Sequence, residues 1–295
     1  MTNFIKKIQS VIYLLLESIS SFFAIFLFSH WKSDISIIHE NKKCAILSNG
    51  PSLTDDLEKL ACHQNILDFV CVNDFSLSEY FLKIRPKYYV FLDPFYWEDS
   101  LTGNDLVLRR SVFDRITTIT SWEMKILIPF EMKKSNIIKY LKIFSNNKNI
   151  KLLYYNRTPI KGFEWFTFFC LKNNFGLPSG QNVLVAAILL SINLGYKTLL
   201  LFGADHSLHE HIDIDSNNNV YVGQKHFYDG NRTVKKMYSR SYVELKPLNM
   251  NELFGIWAKA FESYMILNRY AKKQNSIIYN SSSKSYIDAF ERKFQ

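Results

Sequence analysis

The sequence predicts an α/β protein whose sheet is mainly parallel and is flanked by helices. Short apolar runs recur along the chain, as expected for parallel strands that are buried on both faces. Stretches with helical spacing separate these runs, and this alternation is typical of α/β domains. The chain has 295 residues, of which 47% are hydrophobic, so it is long enough and apolar enough to bury a large core.

The first predicted unit of the domain is a strand, a tight turn and a helix. The apolar run CAIL ends before Asn49, and Gly50-Pro51 stops the strand. Ser52 or Thr54 is expected to cap the helix that follows. Such a turn offers backbone N–H groups and the positive end of a helix dipole, which predicts a phosphate site. The glycine patterns of dinucleotide-binding and P-loop proteins are absent.

Two further predicted strands also end on polar residues. The run at residues 69–72 stops at Asn73-Asp74, and the run at residues 87–92 stops at Asp93. Because the carboxyl ends of parallel strands line one crevice, these side chains are expected to face a ligand together. Later strands are predicted at residues 125–130 and 150–156, with a basic helix between them at residues 131–144.

A strong helix and strand signal lies in the second half of the chain. Ser179-Gly180 is expected to open a helix that ends at Gly195, and TLLLFGAD then predicts a buried strand that closes on Asp205. The following residues, 208–248, have no clear periodicity and are expected to form a long, lid-like loop. An amphipathic helix and the strand SIIYNSS complete the predicted domain.

The most hydrophobic stretch of the chain is residues 11–28. No small-residue cleavage site follows it, so we expect a retained membrane anchor rather than a signal peptide. Trp31 and the flanking lysines favour a helix in the membrane interface; these lysines are Lys6, Lys7, Lys32, Lys42 and Lys43. The alternatives are a short spanning helix, or a helix packed on the domain or in a dimer interface. The predicted organisation is an anchor segment, residues 1–40, and one domain, residues 41–295.

Charge and cysteine content narrow the expected partners and compartment. The net charge of +9 predicts an anionic partner. Nucleic acid is not expected, because the basic residues are scattered and no nucleic-acid-reading motif is present. The cysteines show no CxxC spacing and are expected to be reduced thiols in a cytosolic compartment; they are Cys44, Cys62, Cys71 and Cys170.

A cluster of histidines in the predicted loop has two interpretations. The first is a metal site, although the HExxH spacing of zincins is absent; the candidate ligands are Asp205, His206, His209, His211, Asp213 and Asp215. In the second, one histidine is a general base, since a neutral imidazole suits proton transfer near pH 7. His226 is then the best candidate, because aromatic residues surround it in the sequence and a basic run follows it.

Taken in order, the segments SNGPSL, VNDF, LDP, PSG and LGYKTLLLFGAD, with a histidine in the loop that follows, resemble the sialyltransferases of glycosyltransferase family 42. They are similar also to the Maf-type flagellin glycosyltransferases. The resemblance extends from residue 43 to about residue 226. It implies a Rossmann-like fold and a metal-independent transfer of a sugar from a cytidine monophosphate (CMP) donor.

The resemblance also implies roles for particular residues. His226 would be the catalytic base. The donor-binding residues would be Asn49, Gly50, Pro51, Ser52, Asn73, Asp74, Asp93, Ser179, Gly180 and Asp205. Asp93 stands where the family has an asparagine, and His206-Ser207 replace the family's tyrosines. We therefore expect other groups to stabilise the departing phosphate; the candidates are His206, Tyr221, Tyr228 and Arg232.

The sequence thus predicts a membrane-associated inverting glycosyltransferase at the cytoplasmic face of the inner membrane, peripheral or single-pass. It would move a CMP-activated, sialic-acid-like sugar to a lipid-linked acceptor or a surface glycan such as lipopolysaccharide or capsule, without a cofactor. One alternative is a Mg²⁺-dependent phosphoryl or diphosphoryl transferase of the same fold, with Asp93, Asp205, Asp213 and Asp215 as ligands. The other is a non-catalytic, membrane-bound scaffold.

Overall fold

The computed structural model describes residues 2–38, 42–63, 66–133, 142, 144–228, 234–238 and 247–293. These residues form a large parallel sheet with helices on both faces, together with a small antiparallel sheet. The predicted α/β class is therefore confirmed. Most of the predicted basic helix at residues 131–144 lies outside the described residues.

The described strands and helices alternate along most of the chain. The strands are β1 (Lys43–Leu47), β2 (Asp68–Val72), β3 (Tyr88–Val90), β4 (Met124–Pro129), β5 (Ile150–Tyr155), β6 (Thr198–Phe202), β7 (Ile212–Ile214), β8 (Val220–Gln224), β9 (Val234–Met237), β10 (Ile277–Asn280) and β11 (Glu291–Arg292). The helices are α1 (Thr2–Phe28), α2 (Thr54–Ala61), α3 (Tyr80–Ile84), α4 (Gly103–Ile119), α5 (Glu164–Lys172), α6 (Val183–Asn193) and α7 (Met250–Lys273).

The order of strands in the large sheet is β11-β10-β6-β1-β2-β3-β4-β5. The chain moves outward from β1 to β5 and then returns to the other side of β1 with β6. Ala45 of β1 is accordingly aligned with Phe69 of β2 on one side and with Leu200 of β6 on the other. This reversal is a topological switch point, and open α/β sheets bind ligands beyond the carboxyl ends of the strands at such a point.

Two apolar cores cover the two faces of the sheet. Cys44 and Ile46 of β1 point into the core that α5, α6, α7 and the end of α1 form. Ala45 and Leu47 point into the opposite core, with α2, α3 and α4. Side chains of a strand alternate between faces, so both faces must be apolar, and this explains the continuous apolar runs in the sequence.

The helix before β6 begins later than the sequence predicts. Asn182, rather than Ser179 or Gly180, is its N-cap, and the Asn182 Oδ1 atom accepts a hydrogen bond of 2.8 Å from the Leu184 N–H. A carboxamide at this position satisfies an N–H group that would otherwise have no partner within the helix. Since α6 leads into a parallel strand, its N-terminus lies at the carboxyl edge of the sheet.

The predicted lid-like loop at residues 208–248 contains ordered strands instead. β7, β8 and β9 form a small antiparallel sheet, and buried Val222 of β8 packs with Leu253 of α7. Asp215 makes the turn between β7 and β8 by accepting hydrogen bonds from the N–H groups of Asn217 and Asn219. Strands this short carry too little alternation for a sequence pattern to predict them.

Candidate functional site

The turns after β1 and β6 meet at the switch point. The Ser48 N–H donates to Phe202 O and the Gly50 N–H donates to Gly203 O, each at 2.9 Å. A Cβ atom on Gly50 would overlap Gly203 O and a carboxylate oxygen of Asp205. The φ of Gly50 is −65°, which any residue can adopt. This glycine is therefore required by close packing and not by an unusual backbone conformation.

The carboxylate of Asp205 lies against the turn after β1, where the sequence predicts a phosphate. Its Oδ2 atom accepts a hydrogen bond of 3.0 Å from the Ser52 N–H, and its Oδ1 atom accepts another from the Ser52 hydroxyl. Burial raises the pKa of Asp205, and the two bonds from Ser52 oppose that shift. Ser52 consequently clamps Asp205 and does not cap α2.

Two asparagines lie at the carboxyl ends of adjacent strands. Asn49 follows β1 and donates from Nδ2 to Val72 O at 3.3 Å, and Asn73 directly follows β2 with a left-handed φ of +48°. The Oδ1 atom of each side chain is buried and accepts no hydrogen bond from the described part of the chain. A buried acceptor without a donor costs about 1–3 kcal/mol, so this pair favours a ligand that brings O–H or N–H groups.

His226 lies beside this pair. The Phe227 N–H donates to Asn49 O at 3.1 Å, and the ring centroid of Phe227 is 5.4 Å from that of Phe75. The imidazole of His226 stacks on the ring of Tyr228, with centroids 5.0 Å apart and an interplanar angle of 12°. The chain after β8 therefore returns to the end of β1 and brings a histidine to the crevice.

The candidates for phosphate stabilisation have different surroundings. His206 has a left-handed φ of +52°, and its Nε2 atom is 2.7 Å from the Tyr264 hydroxyl. Burial lowers the pKa of His206 to about 4, so the ring is neutral at pH 7 and brings no positive charge. The Tyr221 hydroxyl donates to Asp215 at 3.3 Å, the Tyr228 hydroxyl oxygen is buried, and Arg232 lies outside the described residues.

Two other predicted donor-binding carboxylates accept hydrogen bonds from groups of the protein itself. Asp74 accepts a hydrogen bond of 2.6 Å from the Tyr96 hydroxyl, and Asp93 accepts one of 2.9 Å from the Phe95 N–H. Pro51 opens the short 3₁₀ turn after β1.

Before α6, Ser179 is buried, and apart from its chain neighbours no described residue has an atom within 4 Å of where a Cβ atom of Gly180 would be. The sequence therefore predicts the edge on which these residues lie, but not the partners that several of them have.

The segment after β10 completes the site, although none of its residues is among the site residues that the sequence predicts. The Tyr286 N–H donates to Asp205 O at 2.9 Å, and the Ser282 hydroxyl accepts a hydrogen bond of 2.9 Å from the Ala204 N–H. Lys284 is 2.7 Å from a carboxylate oxygen of Glu210, and its charge opposes the rise in the pKa of Asp205. The signal was available, since β10 is another apolar run that ends on polar residues.

The histidine cluster does not converge on a metal site. Among the described residues, no three His, Cys, Asp or Glu side chains lie close enough together to hold an ion. His209 packs on Tyr286, with ring centroids 4.3 Å apart, while Asp215 closes a turn and His206 bonds Tyr264.

Comparisons with known proteins add a distant structural likeness. No protein-family model matches the chain, and no curated protein matches it. The structure is similar to that of the MAf glycosyltransferase from Magnetospirillum magneticum AMB-1, with 15% sequence identity and a TM-score of 0.47. The match covers 90% of this chain and 35% of that one, so this chain spans about a third of that protein's length. A likeness this weak carries no inference about activity.

Proposed function

We propose that this protein is a membrane-associated inverting glycosyltransferase that uses a nucleotide-activated sugar, with a CMP-linked, sialic-acid-like donor favoured. One observation carries the proposal. The segments on which the sequence resembles family 42 sialyltransferases lie far apart in the chain, yet Asn49, Asn73, Asp205 and His226 all lie at one edge of one sheet. The acceptor would be a surface glycan or a lipid-linked sugar, and the reaction would take place at the cytoplasmic face of the membrane.

The polar groups of the crevice suit such a donor. The buried Oδ1 atoms of Asn49 and Asn73 require hydrogen-bond donors, which sugar hydroxyls or the amino group of cytosine supply. The N-terminus of α6 lies at the same edge, and the positive end of its helix dipole favours an anion there.

His226 is proposed as the general base. Its imidazole takes the proton from the acceptor hydroxyl as that oxygen attacks the anomeric carbon. The new bond from this carbon to the acceptor oxygen forms while the bond to the phosphate oxygen breaks, and the electron pair leaves with the nucleotide. Attack on the face opposite the phosphate inverts the anomeric centre. General-base catalysis of this kind contributes about 10²–10⁴-fold to the rate.

Nucleotide binding to the full chain in detergent tests the donor class. Calorimetry with CMP, UDP, GDP and ATP, each with and without Mg²⁺, should detect selective CMP binding that needs no metal. ATP binding that requires Mg²⁺ would instead favour the phosphoryl transferase. No binding of any nucleotide would favour the scaffold.

Two variants test the assigned residues. Asn73→Asp adds a negative charge to the crevice that is proposed to bind the anionic nucleotide, and it should weaken CMP binding by about tenfold or more. Asn275→Asp is its matched control, because Asn275 also has a left-handed φ, of +53°, but is exposed and lies before β10. His226→Ala should lower the transfer rate by about 10²–10⁴-fold and leave CMP affinity nearly unchanged. Full transfer activity in His226→Ala would remove the histidine from the mechanism.

A further inference from the structure

Helix α1 turns Ser18, Ser21 and Ile25 toward the domain, whereas its outward side chains include many apolar ones. Ser18 and Ser21 are buried, and their hydroxyls accept hydrogen bonds of 2.9 Å from the N–H groups of Phe163 and Lys161. The exposed face is apolar and includes Val11, Leu15, Ile19, Phe22, Phe23 and Phe26. A helix on a water-exposed surface has the opposite polarity, so this outer face is not built for water.

The second half of α1 is attached to the domain along its length. Gly162 has a φ of +118°, and a Cβ atom there would overlap the Ser18 side chain. Beyond the helix, the Ser29 hydroxyl is 2.7 Å from that of Thr158. The His30 N–H donates to the side chain of Asn156 at 2.8 Å. Residues 18–30 therefore cannot leave the surface of the domain without breaking these bonds.

Helix α5 lies beside α1 and continues the apolar surface. Its start is bonded to Ser18 through Phe163. Beyond its end, the ring centroid of Phe175 is 5.3 Å from that of Trp31. Trp165 and Phe169 are four residues apart on one face of α5, and their side chains are 71% and 57% exposed. Trp31 is 62% exposed. Three large aromatic rings thus extend the outer face of α1.

We propose that this membrane-docking surface, formed by the outer face of α1 with Trp31, Trp165 and Phe169, binds an anionic lipid bilayer while α1 lies flat in the interface. This proposal rests on the membrane association included in the proposed function, and it specifies the residues through which the chain would bind the membrane. Tryptophan is favoured at the boundary between acyl chains and headgroups. Exposed lysines adjoin the surface and complement anionic headgroups; they are Lys6, Lys7, Lys32 and Lys172.

The attachment of α1 argues against a spanning helix. A spanning helix is surrounded by lipid across a bilayer core of about 30 Å. The hydrogen bonds of Ser18, Ser21 and Ser29 instead hold the second half of α1 on the surface of the domain. We also do not expect a second copy of the chain to cover the membrane-docking surface, because the same lysines of the two copies would then face each other.

Docking in this orientation places the candidate site near the membrane. Asn156, which bonds His30, directly follows β5, so the attached end of α1 adjoins the carboxyl edge of the sheet. β5 is four strands from β1, or about 19 Å at the usual strand spacing. A lipid-linked acceptor would then lie within reach of the crevice.

Vesicle flotation of the full chain tests the surface without any substrate, so its outcome is independent of transfer activity. Vesicles of phosphatidylcholine with phosphatidylglycerol should bind the protein, and Trp165→Ser combined with Phe169→Ser should weaken binding by about tenfold or more. The matched control is Leu82→Ser with Val107→Ser, two exposed apolar residues on the opposite face of the sheet, and it should bind within about twofold of the wild type.

Circular dichroism must show both double variants folded before they are compared. Wild-type binding by the Trp165/Phe169 variant would mean that α1 alone inserts, and the proposal would be wrong. Loss of a dimer in that variant, with unchanged lipid binding, would show that a second copy covers the surface and would equally overturn it.

Discussion

At the scale of single residues, the switch point is built by contact between two turns. Gly50, Ser52 and Asp205 bring the ends of β1 and β6 together, because a glycine allows the approach and a carboxylate bonds the opposite turn. The turn after β1 suggests phosphate binding when only the sequence is considered. In the structure, its Ser52 bonds the carboxylate of Asp205 instead. The two acceptors left without donors, on Asn49 and Asn73, lie beside this clamp.

Gly50→Ala should destabilise the fold, because the new methyl group overlaps Gly203 O and the Asp205 carboxylate. The expected loss of unfolding free energy is about 1–3 kcal/mol, measured by urea denaturation. Gly180→Ala is the control, since within the described part of the chain only its neighbours in sequence approach the added carbon. Equal unfolding midpoints for the two variants would contradict this account of Gly50.

His206 should make stability depend on pH. Burial lowers its pKa in the folded state to about 4 from 6.5, so the unfolded chain takes up a proton first as the pH falls. The contribution of His206 to the free energy of unfolding is complete above pH 6.5 and is lost as the pH falls toward 4. At about 1.36 kcal/mol per pH unit, the loss amounts to about 3 kcal/mol.

The matched variant for this titration is His206→Asn, which does not titrate and tolerates the left-handed φ of +52°. Urea unfolding at pH 7, 5 and 4 should show the wild type losing stability relative to the variant. Parallel pH profiles would mean that His206 is not shielded from water.

At the scale of elements, the apolar runs predict the central strands closely. The expected strands at residues 125–130 and 150–156 correspond to β4 (Met124–Pro129) and β5 (Ile150–Tyr155). Burial on both faces produces continuous apolar runs, which are easy to recognise. The strands of the small sheet, β7 to β9, cover three to five residues each and have no such signature.

Gly162→Ala should detach α1, because the added carbon overlaps Ser18 and the φ of +118° disfavours any side chain. Trypsin cleavage after Lys32 should become several-fold faster, as local opening exposes that segment. Gly103→Ala is the control: its φ of +57° carries a backbone penalty, but among the residues that the structure describes none beyond its chain neighbours lies within 4 Å of the added carbon. Similar cleavage rates in the two variants would show that the Gly162 contact does not hold the helix.

At the scale of the whole molecule, two features act together. The parallel sheet places its switch point at one edge, and α1 ends beside the same edge, through Asn156 and Thr158 after β5. The net charge of +9 favours both an anionic donor and an anionic membrane. An α/β core with an apolar outer helix is the arrangement that the proposed function, sugar transfer to an acceptor in a lipid surface, requires.

The sequence by itself determined the α/β class, the central strands, the polar residues at their carboxyl ends and the apolar N-terminal helix. These features depend on local patterns of hydrophobicity and on turn chemistry, which neighbouring residues carry. Only the tertiary structure decided that Asp205 bonds Ser52, that His206 is neutral beside Tyr264, and that Lys284 and Tyr286 join the site. It also decided that α1 faces outward with its apolar side. Each of these contacts joins residues that are distant in the chain, and no local pattern records which of them will meet.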